Sequence, residues 1–307
     1  MIEVSVIIPN YNHAQFLRQR IDTVLNQTFQ DFELIILDDC STDNSKEVIE
    51  QYIGNPKISH TVFNSANSGS PFLQWEKGIN LANGKYVWIA ESDDWCEPSL
   101  LETLVEGMRK DDQCVISYCQ MSCINEQNEI RWQSNHRCLS EVIESKVFIQ
   151  EYLALKVSIY NASMAIFKRE KFKYVPSEFT TFKFSGDRLF WIQIARHGKT
   201  HISGKVLNYF RKHDKDVSGK AYKSGLNFVE ELNIINWMYR EKLIDDAIYT
   251  MAFKKQYKEY WMVRNSIDRN NKNTITTLFD NPLSKKTNTI NILSSAIWSA
   301  YKKKGKQ

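Results

Sequence analysis

The chain has 307 residues, of which 42% are apolar and 25% charged, with a formal net charge of +4. That composition excludes an intrinsically disordered chain and leaves enough apolar material for a self-sufficient core. The near balance of charge gives no ground for a nucleic-acid partner, and no 18 apolar residues run together as a membrane span would need.

In chain order, Val4 to Pro9 and Glu33 to Asp38 are short apolar runs that predict strands, and between them Phe16, Ile21, Val24 and Leu25 recur at helical spacing. After Asp38, Cys40-Ser41-Thr42-Asp43-Asn44 supplies helix-capping side chains, and Val48, Ile49 and Tyr52 follow on one helical face. Ile58 to Phe63 predicts a third strand, Phe72 to Leu81 a helix ending near Asn83-Gly84, and Lys85 to Ala90 a fourth strand. Strands alternating with helices predict an α/β fold: a mostly parallel sheet covered on both faces. Ligands of such sheets bind outside the carboxyl ends of the strands. Pro9-Asn10-Tyr11-Asn12, Asp38-Asp39 and Glu91-Ser92-Asp93-Asp94 all fall there.

Further on, Val115 to Met121 and Ala162 to Phe167 read as strands and Asp187 to His197 as a helix. Beyond Gly225 the pattern turns helical, with Phe228, Leu232, Ile235 and Met238 on one face and a long run from Ala247 to Ile267. The expected division is a domain over 1–222, with halves 1–112 and 113–222, and a helical extension over 223–307. The end of that extension, Leu283 to Gln307, carries six lysines and no acid, with Ile290, Leu293, Ile297, Trp298 and Tyr301 at near-helical spacing. Such a helix either lies on an anionic membrane surface or docks on the body with a solvated lysine tail. Six cysteines form no C-x-x-C pair, and the chain enters a strand directly after Met1-Ile2-Glu3. Together these predict a cytoplasmic protein with reduced thiols.

Glu91, Asp93 and Asp94 crowd three carboxylates into four positions. Two unit charges 4 Å apart repel by about 4 kcal/mol at an effective dielectric near 20. Either a hard divalent cation sits among them, or they form a solvated turn in which Asp94 caps the helix opened by Pro98.

The ordered set Val6-Ile7-Ile8-Pro9-Asn10-Tyr11-Asn12, Asp38-Asp39-Cys40-Ser41-Thr42-Asp43, Asn64 through Gly69, Glu91-Ser92-Asp93-Asp94, Gly186-Asp187-Arg188-Leu189-Phe190-Trp191 and Leu207-Asn208-Tyr209-Phe210-Arg211-Lys212-His213 resembles the family-2 glycosyltransferases, whose nucleotide-sugar-binding fold is called GT-A. The resemblance covers roughly residues 2 to 220. It implies an inverting, metal-dependent transfer of a sugar from a nucleoside diphosphate, UDP by default, to a hydroxyl of a glycan or lipid-linked acceptor, in building a bacterial surface polysaccharide. By the same resemblance Asp94 is the first choice for direct ligand of Mn²⁺ or Mg²⁺, with Asp93 towards the donor ribose or the metal and Glu91 towards the sugar. Pro9, Tyr11 and Asp39 fall on the base side, Arg211 over the diphosphate and His213 at the diphosphate or metal. Asp187 is the implied general base. Many relatives carry Glu-Asp there; Gly186 stands in place of the Glu, so no second acid is implied beside it. A sugar nucleotidyltransferase would need a glycine-rich phosphate loop after the first strand, which Pro9-Asn10-Tyr11-Asn12 lacks. An inactive nucleotide-sugar-binding scaffold would be expected to have lost one of these acids, and all are present.

Overall fold

The computed structural model describes residues 2–213 and 222–287. Lys215 and most of the basic C-terminal segment, from 288 onward, lie outside the described residues. The chain divides into two compact units: Met1–Phe148 with Ile159–Phe182 and Gly186–His213, and Ile149–Ser158 with Lys183–Ser185 and Asp214–Gln307.

The first unit begins with β1 (Val4–Asn10), α1 (Ala14–Leu25), β2 (Phe32–Asp38), α2 (Ser45–Glu50), β3 (Ile58–Phe63), α3 (Pro71–Leu81) and β4 (Tyr86–Ile89). These strands pair in parallel, in the order β3-β2-β1-β4. Every residue of β1, β2 and β4 is buried, as strands covered on both faces must be. Helix α1 turns Phe16, Leu17, Ile21 and Val24 inward, and α3 turns Phe72, Trp75 and Ile79. Each such side chain contributes about 1.5–3 kcal/mol through the area it removes from water. Register brings Asn10 beside Asp38 and Ile7 beside Ile89, so the segments leaving β1, β2 and β4 emerge on one rim.

Then follow β5 (Trp95–Cys96), α4 (Leu100–Arg109), β6 (Cys114–Ile124), β7 (Ile130–Gln133), β8 (Ser140–Ile143), a single turn α5 (Ser145–Val147), β9 (Ala165–Lys168), α6 (Gly186–Ala195) and β10 (Lys199–Arg211). The sheet continues β4-β9-β6-β10-β5. Here the pairing becomes mixed: β9 runs antiparallel to both β4 and β6, while β10 is parallel to β6. Ala162–Met164, expected within a strand, is a 3₁₀ turn leading into β9. The sequence hides β10 because its buried positions include polar groups satisfied in pairs. His201 lies 2.8 Å from the hydroxyls of both Ser117 and Ser140, and Gln120 donates to the Ser203 carbonyl at 3.0 Å. Cys114, Cys119 and Cys123 are buried free thiols within β6.

The second unit holds α7 (Leu226–Arg240), α8 (Asp246–Val263) and α9 (Arg269–Asp280). Phe228, Leu232, Ile235 and Met238 are its buried face, as their spacing predicts. Glu230 fastens Lys183–Ser185 by accepting three main-chain N–H bonds at 2.8, 2.9 and 2.7 Å. Asp245 caps α8 by accepting from the Ile248 N–H at 2.9 Å. No helix among the described residues is long and apolar enough to cross a membrane.

Candidate active site

The loops after β1 and β2 interlock. Asn10 donates to Asp38 at 2.8 Å, Ser41 accepts from the Asn12 N–H at 2.9 Å, and the Asn12 side chain accepts from the Thr42 N–H at 2.7 Å. Asn12 and Cys40 take positive φ, 58° and 60°, to make these turns. Pro9 is buried within β1 opposite Leu37. Tyr11, the next residue but one, is 45% exposed. Asp39 is buried and heavily hydrogen-bonded: Asn64, Gln74 and the Ser68 hydroxyl donate to it at 2.6, 2.9 and 2.7 Å, and the Ser68 N–H joins them at 3.0 Å. It thereby orders the segment Asn64–Gly69 that the sequence singled out.

After β4 the chain presents its three acids to very different surroundings. Glu91 is half-buried and accepts from the Trp75 indole N–H at 2.9 Å. Burial, with the charges of Asp93 and Asp94, pushes its carboxyl up to about 8. Asp93 meets His213 Nε2 at 3.0 Å. Burial works to raise its carboxyl, but the His213 bond and the charges of His13 and His213 outweigh that and hold it below the usual carboxylate range. Asp94 faces inward and is 1% exposed. Its Oδ1 accepts from the Arg211 main-chain N–H at 3.0 Å, and its Oδ2 takes the Asn161 amide and lies 3.9 Å from Arg20. Burial first, and then the Asp93 charge, raise it to about 7.

Asp94, first choice as metal ligand, is enclosed by protein partners, whereas Asp93 lies with His13 and His213, their ligating atoms within 4.8 Å of one another; His136, Cys138 and Glu141 form a second such group among the described residues. Arg211, expected over the diphosphate, is 1% exposed. Its guanidinium donates to the Asp93 carbonyl at 2.9 Å, Asn128 at 2.9 Å and Gln19 at 3.0 Å, and lies over the Phe16 ring at 4.5 Å. A guanidinium so engaged braces the acid loop from beneath.

Asp187 occupies the first turn of α6, half-buried, with its Oδ1 accepting from the Arg188 N–H at 2.7 Å. The glycine before it has a steric cause: a Cβ at Gly186 would lie 2.6 Å from the Phe72 ring and 2.7 Å from the Phe179 carbonyl oxygen. Helix α6 reaches the acid loop through aromatic contacts. Phe190 packs edge-on against Trp75 at 5.6 Å, and Trp75 bonds Glu91. Trp191, at 1% exposure, is a core residue.

Sequence reasoning missed Arg20, His13, Asn161 and Ser163. Arg20 left a signal, since it falls on the apolar face of α1 between Leu17 and Val24, where a charge needs a buried partner. It donates to the Glu91 carbonyl at 2.8 Å. Ser163 accepts from the Glu91 N–H at 3.0 Å. Asn161 and Ser163 left none, because their partners lie some seventy positions away.

The comparisons agree with this architecture. Residues 5–175 match the model of the family described as glycosyl transferase family 2. The putative teichuronic acid biosynthesis glycosyltransferase TuaG of Bacillus subtilis (strain 168) is 26% identical over 222 residues, 72% of this chain and 83% of its own. Among solved structures, S. aureus TarS 1-349 in complex with UDP-GlcNAc superposes with a TM-score of 0.70 at 19% identity, over 90% of this chain and 79% of that one. The mannosyltransferase PcManGT from Pyrobaculum calidifontis, in complex with GDP-Man and Mn²⁺, superposes at 0.55 and 15% identity, over 96% and 86%. With its helix-flanked sheet, its acid loop after β4 and more than half its length under the family model, this chain belongs to glycosyl transferase family 2 and is a glycosyltransferase.

Proposed function

We propose that this glycosyltransferase moves a sugar, with inversion, from a UDP-linked donor to a hydroxyl of a glycan or lipid-linked saccharide, acting in the cytoplasm in the making of a bacterial surface polysaccharide. The observation that carries this reading is the pairing of Asp93 with His213 on the rim where Tyr11 is exposed and Asp39 is ordered. A nucleoside diphosphate has a flat base for the Tyr11 ring and a charged end for the acid loop. The relative named for teichuronic acid biosynthesis and the neighbour bound to UDP-GlcNAc support the polysaccharide and the nucleotide.

The residues present fit a divalent cation, because a carboxylate and two imidazoles bring their ligating atoms within 4.8 Å. When bound, the cation offsets negative charge developing on the leaving diphosphate. Tyr11 and the Asp39-ordered segment hold the base. Asp187, oriented by the α6 first turn, takes the proton of the acceptor hydroxyl as that oxygen attacks the anomeric carbon. The bond from that carbon to the diphosphate oxygen breaks, and its electron pair leaves with the diphosphate. One displacement of this kind inverts the centre and needs no carboxylate nucleophile.

The test is calorimetric titration of UDP, dTDP, GDP and CDP, each with Mn²⁺ and with chelator, followed by turnover of the Asp187→Asn variant with the matching donor. The expected result is metal-dependent binding of one nucleotide, kept in Asp187→Asn while turnover falls by about 10²–10⁴-fold. Absence of binding to all four, with acceptor present, overturns the donor-site reading; undiminished turnover in the variant removes Asp187 as base.

A further inference from the structure

His13 lies outside the motifs that carry the family resemblance, yet it stands at the centre of the acid rim. It is the residue before α1, and its side chain does not cap that helix. Its Nδ1 is instead 2.8 Å from the Ser92 hydroxyl, within the acid loop itself. Its ring meets that of His213 edge-on, with centroids 5.4 Å apart and planes at 82°. Phe16 packs against both imidazoles, at 6.4 Å from His13 and 5.7 Å from His213. Arg211 backs Phe16 in turn. Three elements far apart in the chain thus deliver two imidazoles and one carboxylate to a single point, with all three ligating atoms within 4.8 Å.

One histidine would suffice to pair with Asp93. A second, brought alongside and oriented by a hydroxyl on its own ring nitrogen, is the arrangement of a ligand with an outer-shell partner. We infer that His13 completes a cation site with Asp93 and His213, and that this donor set of two nitrogens and one oxygen selects Mn²⁺, Co²⁺ or Zn²⁺ over Mg²⁺. Imidazole nitrogen suits borderline transition ions, whereas Mg²⁺ favours oxygen ligands and dehydrates reluctantly. Three protein donors leave coordination positions open for oxygens of a bound molecule. The inference rests on the donor-site reading, but it concerns the chain's own affinity for metal, which is measurable without nucleotide.

The experiment titrates the full, nucleotide-free chain with Co²⁺, followed by its visible absorption, and with Mn²⁺, followed by loss of the free-ion electron paramagnetic resonance signal, each with Mg²⁺ as competitor. The wild type is expected to bind both and to yield to Mg²⁺ only at large excess. His13→Asn should weaken Co²⁺ binding by roughly 10–100-fold or more, and Ser92→Ala by about tenfold, the range seen when ligands and their outer-shell partners are removed. His13→Asp restores a ligand but exchanges nitrogen for oxygen, so it should recover binding while moving preference towards Mg²⁺. A purely structural role for His13 would not produce that exchange. Circular dichroism confirms that each variant is folded. Equal Co²⁺ affinity in wild type and His13→Asn, an unchanged Co²⁺ to Mg²⁺ ratio in His13→Asp, or no metal binding by the wild type overturns the proposal. A chain that binds Co²⁺ through His13 but none of the nucleotides leaves this inference standing and removes the donor-site reading instead.

Discussion

Asp93 and Asp94 are consecutive in the chain and opposite in circumstance. Asp93 looks onto the rim with two histidines, while Asp94 is enclosed by Arg20, Asn161 and the Arg211 main chain. The same residue type therefore serves as a ligand candidate on one side of a peptide bond and as an anchor on the other. The two roles depend on each other, because the anchored acid fixes the direction in which its neighbour points. They should fail differently.

The largest expected effect belongs to the outward side. Asp93→Asn keeps size and hydrogen-bonding capacity but removes the charge, and should cost about 10³-fold in turnover, the scale of losing one electrostatic element of an active site. Its melting temperature should stay near that of the wild type, and a large fall would erase the contrast with Asp94. Next comes the inward side. Arg20→Ala leaves Asp94 buried without its cation, and breaking such a pair costs about 3–5 kcal/mol. Denaturant unfolding measures this, and an exposed-site value below about 1 kcal/mol would show that the Asn161 and main-chain bonds hold Asp94 unaided. The smallest effect is a control remote from both acids. His201 is buried between Ser117 and Ser140, and burial, with the charges of Lys110 and His136, lowers it to about 4. The unfolded chain then binds a proton near 6.5 that the folded chain refuses, so this contribution is complete above pH 6.5 and declines as pH falls towards 4. His201→Gln should flatten the stability profile in that window, and an unchanged profile would rule out His201 as its source.

The asymmetry between the acids also marks the limit of what the sequence discloses. The strands β1 to β4 and the helices between them are legible because their apolar spacing is regular and their ends carry turn residues. The rim follows, since Tyr11, Asp39 and Glu91–Asp94 all fall just after strands that pair. Which of two adjacent carboxylates turns inward is not a local property. It depends on Arg20, seventy-four positions earlier than Asp94, and on Asn161, sixty-seven later. The length of β10 escapes for a similar reason: its buried polar residues find partners on β6 and β8 and so disguise the strand. Arg211 carries a charge that reads as a surface for phosphate, and only its acceptors, contributed by α1 and the turn after β6, reveal it as a brace.

The bond between Arg211 and Asp94 has a consequence for how this locus tolerates genetic change. Its donor is the main-chain N–H of Arg211, so every replacement at 211 except proline preserves it, whereas every replacement at 94 that lacks an acceptor destroys it. The contact is robust at one end and fragile at the other. A substitution at 211 can therefore remove the guanidinium brace and leave the inner carboxylate its main-chain donor, whereas loss of the acceptor at 94 cannot be offset from 211.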